Sequence, residues 1–459
     1  MLELKNVSIA YEEPLLTDIN LQFKAGEITV VSGASGSGKS SFLKVLNGII
    51  PEFHHAQISG TITYQEKDLL SLNMSERSLF LSTVFQNPKT QFYSVNSTDE
   101  MAFALENRCL PREEILSRIA KYTKLLGMED LLDRDIFTLS GGEKQLLAIT
   151  SVACMDNDIY MFDEPSSSLD PDAILRLKEV LLTLKKLGKT IIIAEHRLHY
   201  LKDIMDRFVL FENKTATVYP TEILDEIFTQ KHQLRSLTAI PKENLKNNPY
   251  QIKNLLDQSY DSEKELVCQN YTYAYDKFSL FDMNVSFGKG IYFIIGRNGI
   301  GKTTFLRCLS GLVKKFKGKT FYSKKKVQPP YNFISNIMQD VNYQLFTESV
   351  WSEISIVSQK DEAKSLALQQ LELLDKKDRH PQSLSGGEKQ RLLLAMAKIS
   401  EKPIVILDEP TSGLCKGQMD QMVAILHQMA REGKTILVVT HDYELIQHCG
   451  GTIIEFIRK

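Results

Sequence analysis

Residues 27–40 read EITVVSGASGSGKS, and residues 290–303 read GIYFIIGRNGIGKT. In each, an apolar, β-rich run leads into a glycine, four residues, a second glycine, a lysine and a hydroxyl residue. A helical pattern follows at once, SSFLKVLNGI in one copy and TTFLRCLSGL in the other. Strand, glycine-rich loop and helix is the context in which such a string binds phosphate: glycine lets backbone N–H groups turn inward, and the helix offers its positive end to an anion. Lys39 and Lys302 then reach the β- and γ-phosphate oxygens, while Ser40 and Thr303 hold Mg²⁺. Gly33, Ser35, Gly36, Gly38 and Ser41 surround the first lysine; Gly296, Asn298, Gly299, Gly301 and Thr304 surround the second. A plain glycine turn before a helix leaves both lysines unexplained.

The loops belong to an internal repeat. LSGGEKQ, an apolar run ending in DEP, and a strand ending in histidine follow each loop in the same order. Ser140 to Asp163 and Ser385 to Asp408 are both 23 positions apart, and Asp163 to His196 and Asp408 to His441 are both 33. Equal spacing over four strings means that the halves share one fold. Lys39 to Ser140 spans 101 positions against 83 for Lys302 to Ser385, so the second half has a shortened middle. The runs IYMF, TIIIAEH, IVILDEP and TILVVTH are short, continuous and apolar, as strands buried on both faces should be. The fold class is therefore α/β with a largely parallel central sheet in each half. The expected organisation is a first nucleotide-binding domain at 1–235, a polar, proline-punctuated linker at 236–264 and a second domain at 265–459.

Two adjacent carboxylates end each apolar DEP strand, Asp163 with Glu164 and Asp408 with Glu409. Neighbours on an extended segment point apart, so one serves Mg²⁺ while the other faces an attacking water. In SGGE, Ser140 and Ser385 precede a glutamate by three residues, a capping-box pattern that opens a helix and leaves the backbone of Gly142 and Gly387 accessible to an anion.

Hydrophobic residues at 43% and charged residues at 24% are those of a soluble globular protein, and 459 residues suit two domains. A net charge of −2 gives no overall pull towards nucleic acid, and the seven lysines from Lys314 to Lys326 read as a solvated turn between strands. Six scattered cysteines show no paired spacing, which points to structural thiols in a reducing compartment. No stretch approaches 18 apolar residues, so neither a membrane span nor export is expected. His54 and His55 sit in a polar turn and read as solvent-exposed.

Taken together, these motifs resemble the ABC ATPase family over nearly the whole chain. The resemblance implies two tandem P-loop domains, each with an antiparallel β subdomain and a helical signature subdomain, that bind ATP and Mg²⁺ and hydrolyse ATP. It implies that Tyr11 and Tyr275 stack on adenine, that Gln86 and Gln339 are the glutamine-loop residues near the metal, and that His196 and His441 contact the γ-phosphate. Each ATP would be sandwiched between one half's phosphate loop and the other half's signature, Lys39 with Ser385 and Gly387, Lys302 with Ser140 and Gly142. The family aspartate that crosses towards the opposite loop is Asp170 in the first half, whereas Cys415 stands there in the second.

The segments VFQNPKTQFYSVNSTDEMAFALEN and MQDVNYQLFTESVWSEI look like those of energy-coupling-factor transporter ATPases. That implies a peripheral protein on the cytoplasmic face of the membrane, powering uptake of a vitamin, a vitamin precursor or a transition-metal ion. Its partners would be a transmembrane coupling protein and a substrate-binding membrane protein, with no nucleic acid. Competing readings are a soluble twin-ATPase translation factor, which usually carries a longer charged linker, and the fused ATPase of a sugar importer, whose second half often departs from the motifs.

Overall fold

The computed structural model describes residues 1–167, 169–247, 252–254, 261–275 and 278–457, with the backbone alone at 89, 246, 247, 252–254, 275 and 278–280. The chain divides into Met1–Ala239 with Cys415–Gly417, and Ile240–Leu414 with Gln418–Lys459.

In the first unit the phosphate-loop strand Ile28–Gly33 is buried along its whole length at the middle of a six-stranded sheet. Thr190–Ala194 and Arg207–Glu212 flank it, and Ile159–Asp163 and Leu81–Val84 extend the sheet, all parallel. Only the edge strand Thr215–Tyr219 runs antiparallel. Alternation within these apolar strands feeds two cores: Ile191 and Ile193 pack with Tyr160, Phe162 and the helical subdomain, while Ile192 and Ala194 face Phe42 and the second sheet. That second sheet is antiparallel, built from Pro14–Phe23, Leu2–Ala10, Gln57–Tyr64 and Lys67–Asp68. Helices Ser97–Asn107, Arg112–Leu126 and Gly141–Cys154 form the helical part. His54 and His55 are exposed.

The second unit repeats this plan. Ile334–Ile337, Ile404–Asp408, Thr435–Val439, Gly290–Ile295 and Thr452–Glu455 form a parallel sheet, and Phe278–Phe287, Leu266–Tyr275, Lys317–Tyr322 and Lys325–Lys326 an antiparallel one. Lys325 and Lys326 are exposed on their short strand. The shortened middle shows as smaller helices, Val350–Ser355 and Asp361–Gln370, before the signature helix Gly386–Ile399.

Part of the segment expected as linker belongs to this second sheet. Ile252–Asn254 pairs in parallel with Ile453–Glu455, and Leu245, on the helix Lys242–Asn247, is fully buried in the second unit's core. A three-residue edge strand is too short to show a hydrophobic period, so the polar composition around it dominated the sequence reading. Positions 248–251 and 255–260 of the expected linker lie outside the described residues. No helix among the described residues is long and apolar enough to cross a membrane.

Candidate active sites

Three glycines in the first phosphate loop have positive φ, Gly33 at 153°, Gly36 at 77° and Gly38 at 98°. A Cβ at Gly33 would stand 2.3 Å from the Phe211 carbonyl oxygen, so no larger residue fits there. Gly38 opens the helix Lys39–Asn47 with no side-chain cap, and the helix's first amide groups therefore face the loop's concavity. The Lys39 ammonium, buried, donates to the carbonyl oxygens of Gly33 at 3.1 Å and Ala34 at 2.9 Å. Burial lowers its pKa, against the pull of Glu164. Ser40 Oγ donates to Asp163 Oδ1 at 3.0 Å, joining loop and strand end across 123 residues of sequence. Tyr11, just after the strand Leu2–Ala10, stands 3.3 Å from Ser41 Oγ through its hydroxyl.

Glu164 follows Asp163 with a left-handed backbone, φ 48°, and its N–H donates to Ala194 O at 2.8 Å. The two carboxylates meet different partners, Asp163 facing Ser40 and Glu164 facing Gln86 and His196. Gln86 Nε2 donates to Glu164 Oε2 at 2.7 Å, and His196 Nε2 lies 3.6 Å from Glu164 Oε1. Burial raises the Glu164 carboxyl to about 8, with Asp163 and Glu195 adding to the rise. Such a group is matched to accepting a proton near neutral pH. Burial, then Lys39 and Arg235, hold His196 well below the ordinary imidazole value, so it is a neutral ring. Asp163 is raised by burial against Ser40, Lys44 and Lys39.

The second unit builds the same constellation. Gly296, Gly299 and Gly301 have φ of 144°, 74° and 107°, and Lys302 Nζ donates to Gly296 O at 2.6 Å and Arg297 O at 2.9 Å. Thr303 Oγ1 donates to Asp408 Oδ1 at 3.3 Å. Burial raises Asp408, against Thr303, Arg307 and Lys302. Glu409, φ 49°, lies 3.7 Å from His441 Nε2. Asn298, expected to face nucleotide, stands 3.1 Å from His441 Nε2 through its Oδ1. Gln339 is exposed and, unlike Gln86, makes no hydrogen bond among the described residues. The adenine contact expected of Tyr275 lies outside the described side chains; its backbone ends the strand Leu266–Tyr275.

Both signatures close capping boxes. Ser140 accepts from Glu143 N–H at 3.2 Å while Glu143 accepts from Ser140 N–H at 2.8 Å, and Ser385 with Glu388 does the same at 3.4 and 2.7 Å.

Sequence reasoning missed several polar residues around these sites. Glu195, next to the histidine, is buried and accepts from Ser166 Oγ, Tyr200 Oη and three backbone amides. Its only sequence signal is a charged residue closing an otherwise apolar strand. Behind the glutamine loops, Gln91 accepts from Phe85 N–H at 3.0 Å and Gln344 from Met338 N–H at 2.7 Å. Glu100 Oε2 accepts from the amides of Tyr93 and Ser94, and Glu353 Oε2 from those of Phe346 and Thr347.

The ABC transporter family profile matches residues 16–167 and 280–412. A putative ABC transporter ATP-binding protein of Treponema denticola is 36% identical over 470 residues, covering 97% of this chain and 93% of its own length. A similarly named protein of Bacillus thuringiensis is 32% identical, with coverage of 96% and 87%. Among solved structures, a model of ribosome-bound archaeal Pelota and ABCE1 superposes with a TM-score of 0.68 over 98% of this chain and 76% of the matched chain, at 22% identity, a likeness of fold alone. Profile and full-length relatives agree with the duplicated constellation, and the chain belongs to the ABC transporter family as an ATP-binding, ATP-hydrolysing protein with two ATPase domains.

Proposed function

We propose that the chain powers a membrane transporter of the energy-coupling-factor kind, importing a micronutrient such as a vitamin, a vitamin precursor or a transition-metal ion. The observation that carries this reading is the duplicated brace behind each glutamine loop. Glutamine and glutamate side chains, Gln91 with Glu100 and Gln344 with Glu353, tie down the backbone of a segment whose tip is an exposed aromatic, Tyr93 at 75% and Phe346 at 78% exposure. A large apolar side chain held rigidly in water is a contact waiting for a partner. A transmembrane coupling protein, with its substrate-binding membrane protein, is that partner, and the chain works as a peripheral protein on the cytoplasmic face.

Within each half, Glu164 and Glu409 take the proton of the attacking water, and His196 and His441 stand beside them to meet the γ-phosphate. Lys39 and Lys302 with the loop amides bind the phosphates; Tyr11 and Tyr275 lie against adenine. Each nucleotide is completed by the other half's signature, Ser385 with Gly387 and Ser140 with Gly142. Ser40 with Asp163, and Thr303 with Asp408, would hold Mg²⁺, near Gln86 and Gln339. No cluster of three or more acidic, cysteine or histidine side chains fit for a metal exists among the described residues. One hydroxyl and one carboxylate per site suit an ion that is bound by few protein oxygens plus phosphates. When bound, Mg²⁺ supplies charge neutralisation at the β- and γ-phosphates. The first domain is taken as 1–235, and the second as 265–459 joined by the strand Ile252–Asn254 and the helix Lys242–Asn247, which lie in its sheet and core.

Affinity purification of the chain from membranes, with the bound integral proteins identified, tests the transporter reading. Tyr93→Ala with Phe346→Ala should release those proteins and leave basal ATPase activity intact. Recovery with ribosomes and never with integral membrane proteins would replace this reading with that of a translation factor.

A further inference from the structure

The two halves share motifs, yet the residue before each histidine differs in kind: Glu195 in the first, Thr440 in the second. Three further positions differ with it at the common offset of 245 residues, Ser166 against Thr411, Arg197 against Asp442 and Tyr200 against Leu445. In the second unit Thr440 Oγ1 donates to Glu409 Oε2 at 3.3 Å, and the His441 N–H donates to the same oxygen at 3.3 Å. The histidine strand thus holds Glu409 directly. In the first unit the corresponding N–H is turned elsewhere. His196 N–H donates to Glu195 Oε1 at 2.8 Å, and Arg197 N–H joins it at 3.0 Å. Glu195 Oε2 accepts from Ser166 Oγ at 2.7 Å and Tyr200 Oη at 2.9 Å. Arg197 closes the circuit by donating to Ser166 O at 3.2 Å. Glu195 is only 2% exposed, and its two oxygens accept five hydrogen bonds, the fifth a long one from Ser166 N–H at 3.4 Å. Thr411, in Ser166's place, has a buried hydroxyl with no hydrogen bond among the described residues.

A carboxylate costs several kcal/mol to bury without partners, so its presence here, with matched donors on two separate segments, is a built arrangement. What it joins is informative. Ser166 lies two residues after Glu164, on the turn that carries the hydrolytic carboxylate, and His196 is the histidine 3.6 Å from that carboxylate. We propose that Glu195 is a positioning residue for ATP hydrolysis in the first half: it clamps the histidine strand to the turn after Glu164 and so sets His196 against Glu164. Thr440 reaches nearly the same separation, 3.7 Å, by bonding Glu409 itself. The halves therefore assemble one geometry by two different hydrogen-bond schemes. Glu164 is left without the main-chain donor that Glu409 has from its histidine, and takes the Gln86 amide as a donor.

The inference rests on Glu164 being the hydrolytic carboxylate, and the full-length chain tests both. Steady-state ATPase kinetics and binding of a fluorescent ATP analogue would be measured for Glu164→Gln, Glu195→Ala and Glu195→Gln in a Glu409→Gln background, in which hydrolysis comes from the Lys39 site and the Glu409→Gln chain serves as the parent. Glu195→Ala should lower kcat by about ten- to a hundredfold, since misplacement by an ångström has that effect, with KM and analogue affinity within about threefold of the parent. Glu195→Gln should keep most of the parent rate, because its amide oxygen accepts the His196 and Arg197 N–H groups and its NH₂ finds Ser166 and Tyr200 oxygens as acceptors, giving up only the long bond from Ser166 N–H. Parental kcat in Glu195→Ala, a change in KM alone, or equal damage from both substitutions would overturn the proposal. If Glu195→Ala loses analogue binding through misfolding, Ser166→Ala and Tyr200→Phe decide: each should lower kcat about two- to fivefold by removing one bond to Glu195, and parental rates in both overturn it. Full activity in Glu164→Gln would instead remove the reading of Glu164, and this inference with it; reduced activity there with unaffected Glu195→Ala removes the inference alone.

Discussion

Glu164 and Glu409 each sit on a left-handed backbone turn at the end of a buried strand, a conformation that β-carbon sterics disfavour and that surrounding structure must hold. Exchanging both for glutamine keeps shape and removes the proton acceptor. Glu164→Gln with Glu409→Gln should lower turnover by at least about a hundredfold while nucleotide binding persists, the loss general-base removal typically causes. The single variants should differ. Asp170 accepts from Ala173 N–H at 2.9 Å and caps the helix Pro171–Lys186, a local task added to the interface role that the family resemblance implies. Cys415, its counterpart, carries a weaker acceptor, so in the head-to-tail arrangement that the family resemblance implies, the site built on Lys39 would lack a carboxylate that the site built on Lys302 would have. The Lys302 site should turn over faster, making Glu409→Gln the more damaging single change. Equal losses, or a larger loss in Glu164→Gln, would refute the asymmetry.

Elements are joined in the first unit by a charged hub that no local pattern announces. Asp156, after the signature helix, accepts from Lys121 Nζ at 3.0 Å and Lys189 Nζ at 2.7 Å, and from the Tyr122 hydroxyl. It ties the helix Arg112–Leu126 to the start of the strand Thr190–Ala194. Burial works against its ionised form, but the bonds from Lys189, Tyr122 and Lys121 outweigh it and bring the pKa down to about 2. With the folded value below the unfolded one of about 3.9, the stabilisation is complete above about pH 5 and fades as pH falls through 2. Because Asp156 is about a third exposed, screening reduces the contribution to about 1–2 kcal/mol. Asp156→Asn should therefore melt earlier than the parent at pH 7, with the gap closing between about pH 4 and pH 2. A gap that persists unchanged at pH 2 would assign the effect to packing.

For the whole molecule, nucleotide that binds the folded chain alone must stabilise it. At a hundred times its Kd, ATP contributes about 2.7 kcal/mol per site, or roughly 5–10 °C in Tm for domains of this size. In the Glu164→Gln, Glu409→Gln chain, where ATP persists, differential scanning fluorimetry should register that rise. Adding Lys39→Ala and Lys302→Ala should remove it, and an undiminished rise would place the nucleotide elsewhere. The phosphate loops, the buried parallel strands and both capping boxes were legible in the sequence because each is specified by adjacent residues: a glycine that must take positive φ, a lysine that must follow, a serine three positions before a glutamate. The brace of Gln91 with Glu100 and of Gln344 with Glu353 stood within quoted segments, but its bonds did not show. The partners of Glu195, the hub at Asp156 and the edge strand Ile252–Asn254 were decided only by the tertiary structure. Glu195 and Ser166 are 29 residues apart, and Ile252 and Ile453 are 201 apart. A buried carboxylate or a three-residue strand carries no periodic signal of its own; what satisfies it is whichever distant group the order of strands in the sheet brings within about 3 Å.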